Sequence, residues 1–447
     1  MHAEASPMGT RKIFPLLISM SVPPIISMMI QGLYNIVDSI FVAHVSQEAL
    51  TAVSLVYPLQ NLTLSLAVGL GVGLNACIAR NLGAQQPEEA GKAAVHGLLC
   101  TGVHSLLFVL VGLFASEPFL RLFTQNETVL ELGCQYSTIV ICLSFGSLFH
   151  ICVEKMFQAT GNMMIPMFLQ GLGAVVNLIL DPILIFGWMG IPAMGVVGAA
   201  VATIIGQMSA CACAVWLFFR TNHAFPISFR GFRLRAAILG QLYAIAIPST
   251  LVMAMPSLMI SLLNRVLTAF GETAVNVLGI YFKIQSFTNM PSGGLIQGMR
   301  PIISFNYGAG NRERMEETFR RSLQVVFAIM TAGMILFLAI PGPLLSLFAA
   351  DAQLLEIGIP ALRIISVSFF LSSPAVIIAG TFEALGKGGH SLAVTILRQL
   401  LMIPPLSFVL APIFGLTGVW ITFPIAEAVA SVAAILLYRR MMKRLKF

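Results

Sequence analysis

Two aspartates stand inside long apolar stretches. Asp38 lies near the end of the first stretch and Asp181 within the fifth. An Asp at the centre of a membrane helix costs about 2.5–3.5 kcal/mol on insertion scales, so one kept there has work to do. Asn177 stands four residues before Asp181 and shares its helix face, and Tyr34 and Asn35 share the face of Asp38 in the same way. Pro182 follows Asp181 at once. It has no N–H, so it frees the Leu178 carbonyl as a polar acceptor beside the acid. Two carboxylates that face one polar chamber in low dielectric need a proton or a small cation between them. Asp38 and Asp181 are therefore expected to share such a chamber. The plainer alternative is that each reaches the outer interface of the membrane.

Other polar intruders are fewer. Lys283 and Glu427 fall within later apolar stretches and Arg363 nearer an end. Lys283 fits either a counter-charge or gate, or a side chain snorkelling to an interface. The 23 methionines and 31 phenylalanines are able to line a pliable cavity for varied apolar ligands, or simply to face lipid and pack. Seven cysteines are present with no CxxC pair, and they read as small buried apolar residues. There is no GxxxxGK[ST] phosphate loop, since Gly380–Lys387 has one residue too many and lacks the Ser/Thr. HExxH and GxSxG are missing too. ATP-driven pumping and intramembrane hydrolysis therefore have no support. No enzyme activity and no organic cofactor is expected, only H+ or Na+ as a coupling ion.

The elements that must position these residues follow from composition. Of 447 residues 57% are hydrophobic and 10% charged. A soluble protein carries roughly 25% charged residues. So small a charged set cannot cover a water-facing surface, which excludes a soluble enzyme, a nucleic-acid-binding domain and a disordered chain. A spanning helix needs about 20 apolar residues. Twelve stretches qualify, at 14–41, 51–79, 94–116, 134–153, 164–186, 194–219, 238–264, 274–299, 322–349, 356–380, 390–411 and 415–438. All are predicted helical, because in hydrocarbon the backbone must satisfy its own hydrogen bonds. The alternation of a membrane β-barrel is absent. The polar segment Met1–Lys12 leads into a stretch too long for a signal peptide, so no cleavage is expected.

With the N-terminus in the cytoplasm, 21 of the 25 basic residues fall on the cytoplasmic side, Arg11, Lys155, Arg300, Arg398 and Lys446 among them. Only Arg121, Arg265, Lys283 and Arg363 fall elsewhere. The asymmetry predicts a multi-pass protein of the cytoplasmic (inner) membrane with both termini inside, and it explains the net charge of +7 without an acidic partner.

The chain also repeats itself. Ile78–Ala84 resembles Ile303–Ala309, and Phe157–Gly161 resembles Phe382–Gly386, each at an offset of 225. Gly69, Gly73 and Pro23 match Gly294, Gly298 and Pro248 at the same offset. Each half holds six spans, so both enter the membrane from the same side and the repeat is parallel, about an axis along the membrane normal. The predicted fold is an all-α membrane protein of two six-helix lobes, 14–219 and 238–440, joined by a cytoplasmic linker 220–237. The repeated NLGA and NYGA segments read as C-cap glycines ahead of short surface helices. At that offset Asp38 maps to Leu263 and Asp181 to Leu406, which confines ion handling to the first half.

At this point the residues resemble a family. Gly32–Ala43, Asn81–Ala84, Phe157–Asn162, Asn177–Pro182, Gly195–Thr203 and Pro301–Gly310 are similar, in this order, to the signatures of the multidrug and toxic compound extrusion (MATE) transporters. The likeness is greatest to the prokaryotic branch that carries its acids in the first half. The resemblance implies a V-shaped pair of bundles that alternates between outward- and inward-open forms. It implies export of organic, often cationic and aromatic drugs or toxic metabolites in exchange for H+ or Na+. Asp38, Asn177, Asp181 and Thr203 match the positions of the ion site, where Na+ would also bind. Pro23 and Pro24 would serve a bend of the first helix, with Pro182 a further bend point. Tyr34, Asn35, Gln207, Met253 and Lys283 are candidates for the substrate cavity. The expected partners are small organic cations or amphipathic xenobiotics and the lipid bilayer, with no nucleic acid, for a chain acting as a monomer. Two rivals remain open. A lipid-linked precursor flippase would use a basic cavity, of which Lys283 and Arg363 are a thin version. A non-transporting receptor or scaffold would show no ion-dependent flux.

Overall fold

The computed structural model describes residues 6–221, 224–348 and 351–445, so Lys446 lies outside the described residues. Among the described residues nine helices are long and apolar enough to cross a bilayer, and a pair bent by 40° makes a tenth. In chain order the first six spans are α1 (Ile13–Ala43), α2 (Gln47–Gly83), α3 (Pro87–Phe114), the bent pair α4 (Glu127–Cys142) and α5 (Phe145–Ala159), α6 (Met164–Phe186) and α7 (Gly195–Arg220). The second half runs α8 (Ala236–Leu267), α9 (Glu272–Gly308), α10 (Arg312–Ala339), α11 (Ala352–Ala384), α12 (Gly388–Ile396), a π-helical segment Leu397–Met402, and α13 (Ile403–Met442).

Two more spans complete the set. The stretch Gly388–Met442 is 55 residues long, far more than the roughly 20 that cross a bilayer. At Gly415 its backbone leaves the helix with φ 61° and ψ −144°, a conformation open to glycine. A Cβ on Gly418 would collide with the Leu410 carbonyl oxygen, so the chain has turned back on itself there. This stretch is two spans. The 37-residue α9 is long enough to cross, and its polar positions dilute its apolarity. With these the expected twelve spans are present.

Two compact units form, Ile26–Ala246 and Ser6–Ile25 with Ile247–Phe447. The leading part of α1 groups with the second unit, and the leading part of α8 with the first. The divide in α1 falls just after Pro23 and Pro24, and that in α8 just before Pro248, the repeat partner of Pro23. Both helices run on through these prolines. Small residues let the exchanged segments come close. A Cβ on Gly73 would lie 2.6 Å from the Leu242 carbonyl oxygen, and one on Gly298 would lie 2.7 Å from that of Met20.

The repeated NxGA segments differ from expectation. Asn81–Gly83 ends α2, but the next helix to begin is α3, a span itself and not a surface helix. Asn306–Gly308 likewise ends α9 three residues before Asn311, which caps α10 by accepting from Arg314 N at 3.1 Å. The left-handed residue of each turn is Gln85 (φ 59°) or Gly310 (φ 68°), again 225 apart, and not the predicted cap glycine.

The π-helical segment refines the repeat. The Leu184 oxygen meets Gly198 as the Leu410 oxygen meets Gly418, which sets an offset of 226 at the end of this span. The preceding span keeps 225 at Phe157 and Phe382. A π turn takes in one extra residue, and Leu397–Met402 lies between the two landmarks. The counterpart of Asp181 is therefore Ser407, not Leu406. Ser407 is fully buried, and its Oγ lies 3.2 Å from Thr422 Oγ1.

Candidate functional site

The first unit brings the predicted ion-site residues together. α6 packs against α7 along its length. On that seam Asn177 and Asp181 sit one helical turn apart, 2% and 0% exposed, with Thr203 of α7 also buried. Asn177 Nδ2 donates to Asp181 Oδ1 at 3.3 Å and to Thr203 Oγ1 at 3.4 Å. One amide thus ties both helices to the acid. α1 reaches the same seam, where Gln170 Nε2 donates to Gln31 Oε1 at 3.2 Å. Two turns further along α1, the half-buried Asp38 turns its carboxyl group to that of Asp181, close enough for the two to hydrogen-bond.

The electrostatics of this arrangement are unbalanced. Asp38 Oδ1, Asp181 Oδ2 and Asn177 Oδ1 are buried and accept no hydrogen bond. Opposed carboxylates have no donor of their own, so a proton or a small cation between them is what lets the group stay buried. The Tyr34 and Tyr136 hydroxyls lie within electrostatic reach of both acids. Tyr136 is 3% exposed and receives Gln60 Nε2 at 3.3 Å. Neither Tyr136 nor Gln60 was read from the sequence. Their signal was a tyrosine and a glutamine inside otherwise apolar spans.

The candidate cavity residues are less concentrated. Tyr34 is part of the acid cluster, while Asn35 is exposed and its carbonyl accepts Ser39 Oγ at 2.8 Å. Gln207 lies one turn after Thr203 on α7, with a buried Oε1 that accepts nothing. Met253 is half-buried on α8 and Lys283 exposed on α9, both in the second unit. Arg363 is exposed as well. Pro182 sits inside α6, which continues to Phe186 and ends at Gly187 in the left-handed region.

Three of the basic residues expected on the cytoplasmic side lie within helices, held by acids or amides. Lys155 is buried in α5, where its Nζ donates to Glu154 Oε1 at 3.1 Å and Gln158 Oε1 at 3.0 Å. Arg300 of α9 pairs with Glu383 of α11, and Arg398 pairs with Glu427 at 3.5 Å. Among the described residues no group of three or more His, Cys, Asp or Glu side chains is arranged to hold a metal ion.

Comparison with known proteins covers the same ground. The MatE family model matches residues 23–183 and again 248–409. The two matches begin 225 residues apart and end 226 apart, as the π-helical insertion requires. The multidrug export protein MepA of Staphylococcus aureus (strain MSSA476) is 27% identical over 438 residues, which cover 97% of this chain and 95% of that protein. A solved outward-facing multidrug resistance MATE family transporter of the MOP superfamily superposes with a TM-score of 0.93 at 27% identity, covering 99% of both chains. A MOP superfamily transporter from Pyrococcus furiosus superposes with a TM-score of 0.92 at the same identity and coverage.

Proposed function

The chain belongs to the MatE family, and from that premise we propose that it is an ion-coupled efflux antiporter. It exports organic, mostly cationic and aromatic compounds in exchange for protons or sodium ions. It does so by alternating access, as a multi-pass protein of the cytoplasmic membrane with both termini inside. The reading treats the chain as a monomer of two repeat lobes, 14–219 and 238–440, around the linker 220–237. It needs no catalytic residue. The observation that carries it is the opposition of the Asp38 and Asp181 carboxyl groups, with Asn177 and Thr203 completing a set of buried oxygens. Such a set suits a proton, and as an all-oxygen site it also suits Na+.

Coupling follows from competition. An ion shifts a conformational equilibrium only by binding one state better than the other. Where one pair of carboxylates holds either the exported cation or the incoming ion, each displaces the other. Each charge that crosses also draws about 2.3 kcal/mol per 100 mV from the membrane potential. Pro23, Pro24 and Pro182 supply helix positions without an N–H, where occupancy of the site is able to change a helix's course. Tyr34, Asn35 and Gln207 of the first unit, and Met253 and Lys283 of the second, are the proposed contacts of the exported compound.

The deciding experiment is transport in proteoliposomes with sodium and pH gradients imposed separately. Export of a fluorescent organic cation driven by one gradient supports the reading and names the ion. Flux indifferent to both gradients rejects it. Flipping of a labelled lipid-linked precursor without cation export would favour the flippase instead.

A further inference from the structure

The second unit holds a buried acid that the proposed exchange leaves unused. Glu427 on α13 is 9% exposed. Its Oε1 lies 3.5 Å from Arg398 Nη1. A charge-assisted bond closes to about 2.7–2.9 Å, so this pair is loose. Glu427 Oε2 is buried and accepts no hydrogen bond. Arg398 stands on the π-helical segment Leu397–Met402, the kind of helix irregularity that concentrates at functional sites.

The repeat makes this pair peculiar to the second unit. Gly415 and Gly418 match Gly195 and Gly198 at an offset of 220, so the counterpart of Glu427 is Gln207. Arg398, ahead of the added residue, stands 225 beyond Gly173. Where the first unit has a glycine and a neutral amide, the second has a cation, an acid and a π turn.

We propose that Glu427 is a second proton-binding site, in which Arg398 holds the deprotonated carboxylate and is released when a proton adds to Oε2. The surroundings decide among ligands. An organic cation needs a pocket of roughly 300–1,000 Å³. Here the neighbouring Tyr281 is fully buried and packs on Phe423 at 5.9 Å and Phe369 at 6.3 Å between ring centroids. A metal ion would sit against the Arg398 guanidinium. A proton needs neither space nor a coordination shell: it forms an O–H bond on Oε2 and leaves the acid neutral. Arg398 keeps its charge, loses its partner, and has a side chain 21% exposed through which to reach water. The titratable groups that bear on Glu427 are Arg398 from the π segment and Tyr281 from α9. From α11 the neighbours of Tyr281 are Ser368 and Phe369, both uncharged. The proton thus acts on the ion pair that ties the π segment to α13.

The test is infrared spectroscopy of the protonated-carboxyl band in purified full-length protein, titrated between about pH 5 and 9. Exposed carboxylates are already ionised over that range. The background is the Asp38→Asn, Asp181→Asn double variant, which removes the first unit's pair and makes the result independent of the coupling proposed for it. A titrating carboxyl band is expected to survive in this background and to vanish when Glu427→Gln is added. Gln stands at the counterpart position in the first unit, so the fold accommodates it. Arg398→Gln, with Glu427 intact, is expected to move the midpoint by about one pH unit or more. No titrating band in the double variant, a band that Glu427→Gln leaves in place, or a midpoint indifferent to Arg398→Gln would overturn the proposal.

Discussion

The Asp38 and Asp181 carboxyl groups face each other from α1 and α6, although they lie in the first and fifth spans of the chain. Each presents a buried oxygen that accepts no hydrogen bond. In the proposed exchange the two act as a pair, because each acid adds to the other's need for a proton or cation.

Replacing either acid by asparagine supplies a neutral donor where the ion would bind. Asp38→Asn and Asp181→Asn are each expected to lower ion-driven accumulation of a fluorescent organic cation by about 5- to 150-fold, the usual span of a coupling free energy. Expression and helical content should persist. Full accumulation in both variants would remove the coupling site.

Asn177 is the donor that both Asp181 and Thr203 accept. Asn177→Leu keeps the γ-branched shape and removes the donor, which strands Asp181 Oδ1. A loss of about 1–3 kcal/mol is expected, read as a lower melting temperature in detergent. The midpoint of ion dependence should shift in the same variant, and a melting temperature equal to wild type would contradict the role.

Glu383 pairs with Arg300 and accepts Ser391 Oγ at 3.1 Å while its side chain is only 5% exposed. Removing one partner of a buried pair costs about 3–5 kcal/mol, because the other charge stays behind. Glu383→Ala should therefore destabilise the protein severely. Glu383→Gln should do so less, since the repeat places Gln158 at the matching position. Melting curves for the two variants in detergent would order them.

Asn306 Nδ2 donates to the Met8 carbonyl at 3.1 Å, and Arg314 Nη2 donates to those of Met8 and Arg11 at 3.0 and 2.7 Å. These bonds fasten the short helix Pro7–Thr10 to the end of α9 and the start of α10. Arg314→Ala is expected to loosen it by about 1–2 kcal/mol, so trypsin should cleave at Arg11 and Lys12 roughly tenfold faster. Unchanged cleavage would show that other contacts hold the segment.

Much of this was legible in the sequence, for reasons that mark the limit of such reading. An Asp in an apolar run is conspicuous because the membrane penalises it, and the four-residue spacing of Asn177 and Asp181 already placed them on one face. The repeat was visible through its glycines and asparagines. The π turn was hidden, because one added residue leaves no compositional trace, and it misdirected the mapping of Asp181 to Leu406. The Arg398–Glu427 pair was missed for a related reason: basic residues were sorted by loops, and a cation neutralised inside a helix looks the same in sequence as one in water. The exchange of leading helix segments was not foreseen either, since hydropathy gives a span's length and not its neighbours.

That exchange has a consequence for biosynthesis. A ribosome that has just finished the sixth span has not yet supplied the first unit's last piece, because Leu242 at the Gly73 crossing and Tyr243, whose hydroxyl lies 2.8 Å from His104 Nε2, come later. The opening segment Ser6–Ile25 waits longer still, until Asn306 and Arg314 have been translated. Each half is therefore expected to need a piece of the other, and separately expressed halves should be recovered intact only when they are made together.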